Sequence, residues 1–182
     1  MVNLENKVTI ITGASSGIGR ATAIHFSNIG AKLVISGRDE TALDETIELC
    51  NKSRNKEDYI LKIVGDLTDK NVCQKIVDES IKKFNQIDVL VNNAGFLKTG
   101  SLEQLKIEDY DDVMDLNVKS VIRLTQLCLP YLIKQKGSIV NVSSVAGTKS
   151  FPGILGYCMV MRTFFIDFYF ITQEKILKKN FP

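Results

Sequence analysis

The sequence has few of the residues that mark disordered, disulfide-rich or metal-binding chains. Glycine occupies 12 and proline 3 of its 182 positions, against 45% hydrophobic residues, which excludes a disordered chain. The four cysteines lie far apart without a CxxC pair, so neither a disulfide framework nor a zinc site is expected. The single histidine, His25, falls in a helical segment, where a packing or surface role is expected. The net charge of +2 gives no basis for nucleic-acid binding.

Long hydrophobic runs are also absent. The longest apolar stretches are too short or too charged to span a bilayer, so no membrane association is expected. The first predicted strand begins at residue 7, so no signal peptide is expected. Together with the separated cysteines, these features predict a cytoplasmic protein in a reducing compartment. A chain of 182 residues is long enough to bury a substantial core in one domain.

Short β-rich runs alternate with segments of helical spacing along most of the chain. The predicted strands are 7–12, 32–36, 59–65, 87–92 and 137–143. The predicted helices are 17–28, 40–50, 70–84 and one within 107–134. Such alternation builds right-handed βαβ units, and therefore an α/β fold whose parallel sheet is covered on both faces.

The first strand is followed by a glycine-rich turn, TGASSGIG, at residues 12–19. Gly13 allows a sharp turn, Gly17 lets the backbone approach a phosphate, and Gly19 allows a helix to pack closely on a strand. The amino terminus of the following helix then offers free N–H groups and a positive dipole to a pyrophosphate. The spacing is GxxxGxG rather than GxGxxG, and its place between the first strand and the first helix predicts a nucleotide-binding turn.

The end of the second strand bears on the choice of nucleotide. NAD-binding turns of this kind have an acidic residue about 20 residues beyond the glycines, at the ribose. Here Ser36 and Gly37 occupy that place and Arg38 follows. A guanidinium pairs with a phosphate, so the sequence favours NADP(H) over NAD(H), with a solvated loop arginine as the alternative.

Four motifs follow one another in the order of a known family. With TGASSGIG at 12–19, NNAG at 92–95, SSVAG at 143–147 and Tyr157, the sequence resembles the classical short-chain dehydrogenase/reductase family, which includes 3-oxoacyl-carrier-protein reductases. The resemblance extends from about residue 7 to 159. It implies a dinucleotide-binding Rossmann domain over 1–159 that is a doubly wound parallel sheet of strand order 3-2-1-4-5.

The resemblance also implies which residues hold the cofactor. Asp66 matches the family aspartate beside the adenine, with Leu67 packing near it, and Asn93 would approach the ribose; a purely structural role is the alternative for the neighbouring Asn92. The implied cofactor-binding set is Gly13, Ser15, Ser16, Gly17, Ile18, Gly19, Arg38, Asp66, Leu67, Asn93, Ala94 and Gly95.

Three further residues match the family's catalytic positions. Asn117 corresponds to an asparagine of a proton relay, and Tyr157 to the proton donor and acceptor of a carbonyl/alcohol reaction. The family serine lies thirteen residues before the tyrosine, which selects Ser144 rather than Ser143. No residue is predicted to bind a metal.

One catalytic position departs from the family. A free tyrosine has a pKa of ~10, and the family lowers it with a lysine four residues on, one helical turn away. This chain has Met161 there, which carries no charge, and Arg162 follows one position later.

The last residues depart as well. The segment 160–182 matches none of the family's further strands, so the last two strands of the family sheet have no counterpart in it. Either it is an alternative or intron-derived 3′ end, or it is a specialised tail in which FFIDFYFI, 164–171, forms a buried strand or docking segment.

Three functions remain open from the sequence. The first is an NADP-dependent oxidoreductase that transfers hydride to and from a small carbonyl/alcohol substrate, with NAD as a possible cofactor. The second is a catalytically silent form that binds nucleotide or a partner, and the third is an unstable truncated product. The family usually forms homo-oligomers through the long helix and the tyrosine helix, and the second of these is altered here.

Overall fold

The computed structural model describes residues 4–52 and 58–163 of the chain. These residues form two compact units. The first, called the sheet unit, comprises 4–52, 58–94 and 123–141. The second, called the helical unit, comprises 95–122 and 142–163. The predicted strand at 164–171 lies outside the described residues, and the predicted domain boundary after residue 159 stays a prediction.

The sheet unit contains a five-stranded parallel sheet, as predicted. Its strand order is β3-β2-β1-β4-β5, which confirms the Rossmann-type order 3-2-1-4-5. The strands are β1 Val8–Thr12, β2 Lys32–Gly37, β3 Ile60–Val64, β4 Val89–Asn92 and β5 Ser138–Asn141.

The centre of the sheet is β1, whose five residues are all buried. Ile10 pairs in register with Val34 of β2 on one side and with Leu90 of β4 on the other. A strand buried on both faces does not alternate polar and apolar residues, and β1 accordingly combines three aliphatic residues with two buried threonines. Because all strands are parallel, the carboxyl ends of β1, β2 and β4 meet at one edge of the sheet.

Three helices of the sheet unit follow its first three strands: α1 Gly17–Asn28, α2 Glu40–Asn51 and α3 Lys70–Phe84. Two of them begin with a capping carboxylate. Asp39 accepts from the N–H of Ala42 at the start of α2, and Asp69 accepts from that of Asn71 at the start of α3. At the start of α1, the Ser16 side chain accepts no such bond. The α1 terminus therefore lacks the side-chain acceptor that usually satisfies first-turn N–H groups.

The long helix predicted within 107–134 is interrupted in the structure. It consists of α4 Ile107–Met114, a π-helical segment Asp115–Lys119, and α5 Ser120–Gln135. Sequence periodicity does not distinguish a π-helical turn from an α-helical one, and such turns often occur at functional sites. The segment contains the predicted catalytic residue Asn117.

The helical unit also contains a 3₁₀ turn, Val145–Gly147, and a helix α6 over 155–163. Its core is a cluster of buried aliphatic and thioether side chains, formed by Val113, Val118, Val121, Val160 and Met161. The side chain of Tyr157, on α6, packs against this cluster. The first residues after the predicted boundary at 159 are thus part of the packed core.

All four cysteines are buried. Burial raises the pKa of Cys50 to about 11 and that of Cys128 to about 12, so both thiols stay protonated at neutral pH. Within residues 4–52 and 58–163, no three His, Cys, Asp or Glu side chains are grouped so that they could hold a metal ion. None of the helices in these ranges has the length and apolar character needed to cross a membrane.

The buried carboxylate of Asp88 anchors the start of β1. One oxygen accepts from Lys7 Nζ at 2.8 Å, and the other accepts from the N–H of Val8 at 2.9 Å and from Gln86 Nε2 at 2.8 Å. We expect Asp88→Ala to lower the free energy of unfolding in urea by about 2–4 kcal/mol, because it leaves a buried N–H unpaired. Glu79→Ala breaks an exposed pair with Lys82 and should cost under about 1 kcal/mol. Equal losses would contradict the assignment.

Candidate functional site

Two glycines of the turn after β1 are required by the packing of the protein itself. Gly13 has φ +65°, and a Cβ there would lie 2.8 Å from the Cα of Ala94. A Cβ on Gly19 would lie 2.3 Å from the carbonyl oxygen of Gly13 and 2.5 Å from Asn93 Nδ2. Real Cβ atoms do not approach backbone this closely, so larger residues would push α1 away from the turn.

Gly17 differs from these two. It has φ +53°, but a Cβ there would meet no atom of the described residues within 4 Å. Packing therefore does not explain the glycine, which leaves the left-handed backbone and room for a ligand as the reasons for it. The neighbouring Ile18 is 63% exposed at the same uncapped helix start. This arrangement suits an anion, because the first-turn N–H groups and the helix dipole point toward it.

The ends of β2 and β3 bring Arg38 and Asp66 together. The Arg38 guanidinium lies 3.7 Å from Asp66 Oδ2, and the Arg38 side chain is 70% exposed. The other oxygen of Asp66 accepts from the N–H and the hydroxyl of Thr68, at 2.9 and 2.8 Å. The Thr68 N–H is the main cause of the lowered pKa of Asp66, and Arg38 adds to the effect. Leu67, the next residue, is buried.

The end of β4 is tied to the glycine turn by Thr12, a residue that the sequence analysis did not select. Its hydroxyl accepts from the N–H groups of Asn93 and Ala94, each at 3.0 Å. Asn93 Nδ2 in turn donates to the carbonyls of Thr12 at 2.9 Å and Gly13 at 3.2 Å. The signal in the sequence was a hydroxyl residue at the strand end, directly before the first glycine.

The side-chain amide of Asn92 donates to two protein groups of the described sheet unit. Its Nδ2 donates to Asn141 Oδ1 at 2.8 Å and to Thr125 Oγ1 at 3.2 Å. It therefore joins the ends of β4 and β5 to α5.

Asn117, in the helical unit, holds the segment after the NNAG motif. Its Oδ1 accepts from the N–H of Phe96 at 3.1 Å, and its Nδ2 donates to the carbonyl of Phe96 at 2.8 Å. A Cβ on Gly95 would lie 3.2 Å from Asn117 Oδ1, so glycine there lets the two segments meet. The same Nδ2 lies 3.9 Å from the sulfur of Met161.

Ser144 and Ser143 differ in their surroundings. Ser144 Oγ accepts from the N–H of Ala146 at 3.1 Å, which leaves its own hydrogen available to a ligand. Ser143 Oγ is buried and has no hydrogen-bond partner among the described residues. The half-buried Tyr157 lies on α6, and within the described part of the helical unit no hydrogen bond joins it to Ser144 or Asn117.

Met161 occupies the position one helical turn after Tyr157, and its side chain is 5% exposed. It faces the valine cluster of the helical unit and the amide of Asn117. Arg162 is exposed. The position at which the resemblance implies a lysine is thus a packed apolar position in this chain.

A family model described as short chain dehydrogenase matches residues 7–159. The chain belongs to the short chain dehydrogenase family. The match covers the glycine turn, the NNAG and SSVAG motifs and Tyr157, so the family predicted from these motifs is confirmed.

Curated relatives of the chain include a 3-oxoacyl-[acyl-carrier-protein] reductase of Thermotoga maritima. It is 41% identical over 158 residues, which are 86% of this chain and 63% of the relative. An uncharacterized oxidoreductase of Listeria monocytogenes, Lmo0432, is 37% identical over 84% of this chain and 60% of its own. The chain therefore spans about 60–63% of the length of these relatives.

Solved structures of the same fold include a short-chain dehydrogenase/reductase of unknown function from Caenorhabditis elegans, crystallised with cofactor. Its TM-score is 0.88 at 36% identity, over 95% of this chain and 66% of that one. A short-chain dehydrogenase/reductase from Burkholderia phymatum in complex with NAD has a TM-score of 0.82 at 30% identity, over 89% and 57%.

The different roles of Gly19 and Gly17 lead to a testable difference. We expect Gly19→Ala to lower the free energy of unfolding by about 1–3 kcal/mol, because its Cβ meets backbone. Asparagine tolerates positive φ, so Gly17→Asn should change stability by about 0.5 kcal/mol or less while weakening nucleotide binding. Urea denaturation and nucleotide titration of both variants measure this. Unchanged stability in Gly19→Ala would contradict the packing role.

Proposed function

We propose that the protein is an NADP(H)-dependent oxidoreductase of the short chain dehydrogenase family that acts on a carbonyl/alcohol pair. The observation that carries the proposal is the glycine turn between β1 and the uncapped start of α1, together with Arg38 at the end of β2, where Ser36 and Gly37 precede it instead of an acidic residue. Membership of a family that binds NAD(P) supports an oxidoreductase that uses a nicotinamide nucleotide. Arg38 supports the choice of NADP(H) over NAD(H).

The residues of the sheet unit fit a dinucleotide. Gly13 and Gly19 let neighbouring backbone segments pack closely at the turn, and Gly17 leaves room for a ligand to contact the backbone. The first turn of α1, from Ser16 and Gly17, would hold the pyrophosphate through N–H groups that the Ser16 side chain does not cap. Near the adenosine, Asp66 and Leu67 would contact the base.

Arg38 would hold the 2′-phosphate of NADP(H). Its side chain is largely exposed, and its pairing with Asp66 at 3.7 Å is long for a charge-assisted hydrogen bond. An exposed pair of this kind contributes little, so the guanidinium loses little when it turns to a phosphate.

The residues of the helical unit would serve the carbonyl. When bound, the nicotinamide supplies or takes up the hydride. Ser144 would donate its free hydroxyl hydrogen to the substrate oxygen, because its Oγ already accepts from Ala146. Tyr157 would donate a proton in reduction and accept one in oxidation. Asn117 would hold the segment that begins at Gly95 through its two bonds to Phe96.

The substrate class is supported by the names of relatives. The Thermotoga relative is a 3-oxoacyl-[acyl-carrier-protein] reductase, and a levodione reductase has a TM-score of 0.84 at 27% identity. Both names describe reductases of carbonyl compounds. A small β-ketoacyl thioester is therefore a reasoned first substrate for assay.

A second candidate function is nucleotide binding without turnover, and Met161 favours it. At 5% exposure this side chain places a thioether one helical turn from Tyr157, with the Asn117 amide nitrogen 3.9 Å from its sulfur. A thioether cannot stabilise a tyrosinate. Proton transfer at Tyr157 would then lack the positive charge that a lysine provides.

The first test concerns the nucleotide. We expect NADPH to bind more tightly than NADH, and Arg38→Ala to weaken NADPH binding by about tenfold or more without changing NADH binding, because one charge-assisted contact is lost. Fluorescence titration of both nucleotides measures this. Arg162→Ala removes an exposed arginine of the helical unit and should leave both affinities unchanged. Equal affinities of the unmodified chain for NADPH and NADH would refute the choice of NADP(H).

The second test concerns turnover. We expect the chain to reduce a β-ketoacyl thioester with NADPH about 10²–10⁴-fold more slowly than an ordinary enzyme at ~10 s⁻¹, because Tyr157 has no cation one turn away. Met161→Lys should restore part of the rate and lower stability, since it buries an amine among valines. Met161→Leu is the matched control and should restore nothing. Turnover of the unmodified chain near ~10 s⁻¹ would exclude the silent form.

A further inference from the structure

Arg20 lies directly after the glycine motif, and its guanidinium reaches back to the turn. Its Nη2 lies 2.6 Å from the carbonyl oxygen of Ser15, 3.1 Å from that of Ala42 and 3.0 Å from Glu45 Oε2. Its Nε donates to Thr46 Oγ1 at 3.1 Å. One side chain on α1 therefore joins the glycine turn to three residues of α2, namely Ala42, Glu45 and Thr46.

Thr46, on α2, also contacts both Arg20 and the glycine turn. Its side chain is fully buried, and its hydroxyl oxygen lies 3.0 Å from the carbonyl of Ala14 and 3.0 Å from that of Ala42. The hydroxyl accepts from Arg20 while its own hydrogen faces these two carbonyls. Arg20 and Thr46 together are called the carbonyl clasp.

The clasp sets the orientation of two peptide groups in the turn. A peptide unit is planar and trans, so its N–H points opposite to its C=O. Because the carbonyls of Ala14 and Ser15 face α2, the N–H groups of Ser15 and Ser16 face the other way. A turn freed from α2 could rotate these peptides and present carbonyl oxygens, which repel an anion, where N–H groups now stand.

We propose that Arg20 and Thr46 are positioning residues for nucleotide binding, which hold the glycine turn with its N–H groups directed to the pyrophosphate. This inference rests on the proposed function, since it needs the turn to bind a dinucleotide. The clasp contacts neither the substrate nor the reacting atoms. It acts on the part shared by NADP(H) and NAD(H), whereas Arg38 acts on the 2′-phosphate alone.

The chemistry of the clasp requires a guanidinium. Its nitrogens donate in fixed directions of one plane, so Nη2 and Nε meet a carbonyl and a hydroxyl at the same time. A lysine has a single nitrogen on a flexible stem and cannot bond Ser15 and Thr46 in this way. The ion pair with Glu45 is a side contact, since the Glu45 side chain is 58% exposed.

The experiment compares Arg20→Met, Arg20→Lys, Thr46→Val and Thr46→Ser with the unmodified chain. We measure the Kd for NADPH and for NADH by fluorescence titration, and the thermal unfolding midpoint without nucleotide. Arg20→Met and Thr46→Val should each raise both Kd values by about tenfold, and by the same factor for the two nucleotides. Arg20→Lys should resemble Arg20→Met, and Thr46→Ser should retain tight binding because it keeps the hydroxyl.

Two controls separate the clasp from its surroundings. Glu45→Gln removes the exposed charge and leaves the carbonyl contacts, so both Kd values should change less than about twofold. Arg38→Ala should weaken NADPH alone. A purely structural role would lower the unfolding midpoint of Arg20→Met and Thr46→Val while their folded forms keep the original Kd values, and that result would overturn the inference.

The outcomes also distinguish this inference from the proposed function. If the unmodified chain binds neither nucleotide, both are wrong. If it binds NADPH while Thr46→Val binds equally well, only the clasp is refuted. Should Arg20→Met fail to fold, Thr46→Val against Thr46→Ser still decides, because these differ from the native residue by a hydroxyl or a methyl group.

Discussion

The carboxyl end of β1 is the point on which the sheet unit depends. The Thr12 hydroxyl accepts hydrogen bonds from the N–H groups of the two residues that follow β4. The next residue, Gly13, has a positive φ and lies so close to Ala94 that a Cβ would not fit. A Cβ on Gly19 would lie 2.3 Å from the carbonyl oxygen of Gly13, so its absence lets α1 pack against the turn. Close backbone approach of three segments is possible only without Cβ atoms, so this constraint places the uncapped start of α1 at the edge of the sheet.

In the helical unit, the side chain of Asn117 connects two segments of the chain. Asn117 uses both ends of its amide on Phe96 and so fixes the chain just after the NNAG motif. The π-helical segment carries this asparagine, and the valine cluster with Met161 packs beside it. Asn117 is therefore a structural residue whatever further role it has, and the departure at position 161 falls on the same small core that supports Tyr157.

Much of the fold and of the candidate site could be read from local patterns. The five strands and the first three helices were predicted because a doubly covered parallel sheet needs continuous apolar runs between amphipathic helices. The order of TGASSGIG, NNAG, SSVAG and Tyr157 was enough for the family. Arg20 and Thr46 were missed because their partners include backbone carbonyls, and a carbonyl partner carries no sequence signal.

Residue types and spacing were therefore sufficient for the α/β class and the absence of an acid before Arg38, since these follow from periodicity and from chemistry within a few residues. The strand order was implied by the resemblance to the family. Long-range packing alone separated Gly17 from Gly13 and Gly19, paired Arg38 with Asp66, and interrupted the long helix at Asn117. It also buried Met161 against an amide 44 positions earlier in the chain. These features depend on which backbones meet, and only the folded chain brings those backbones together.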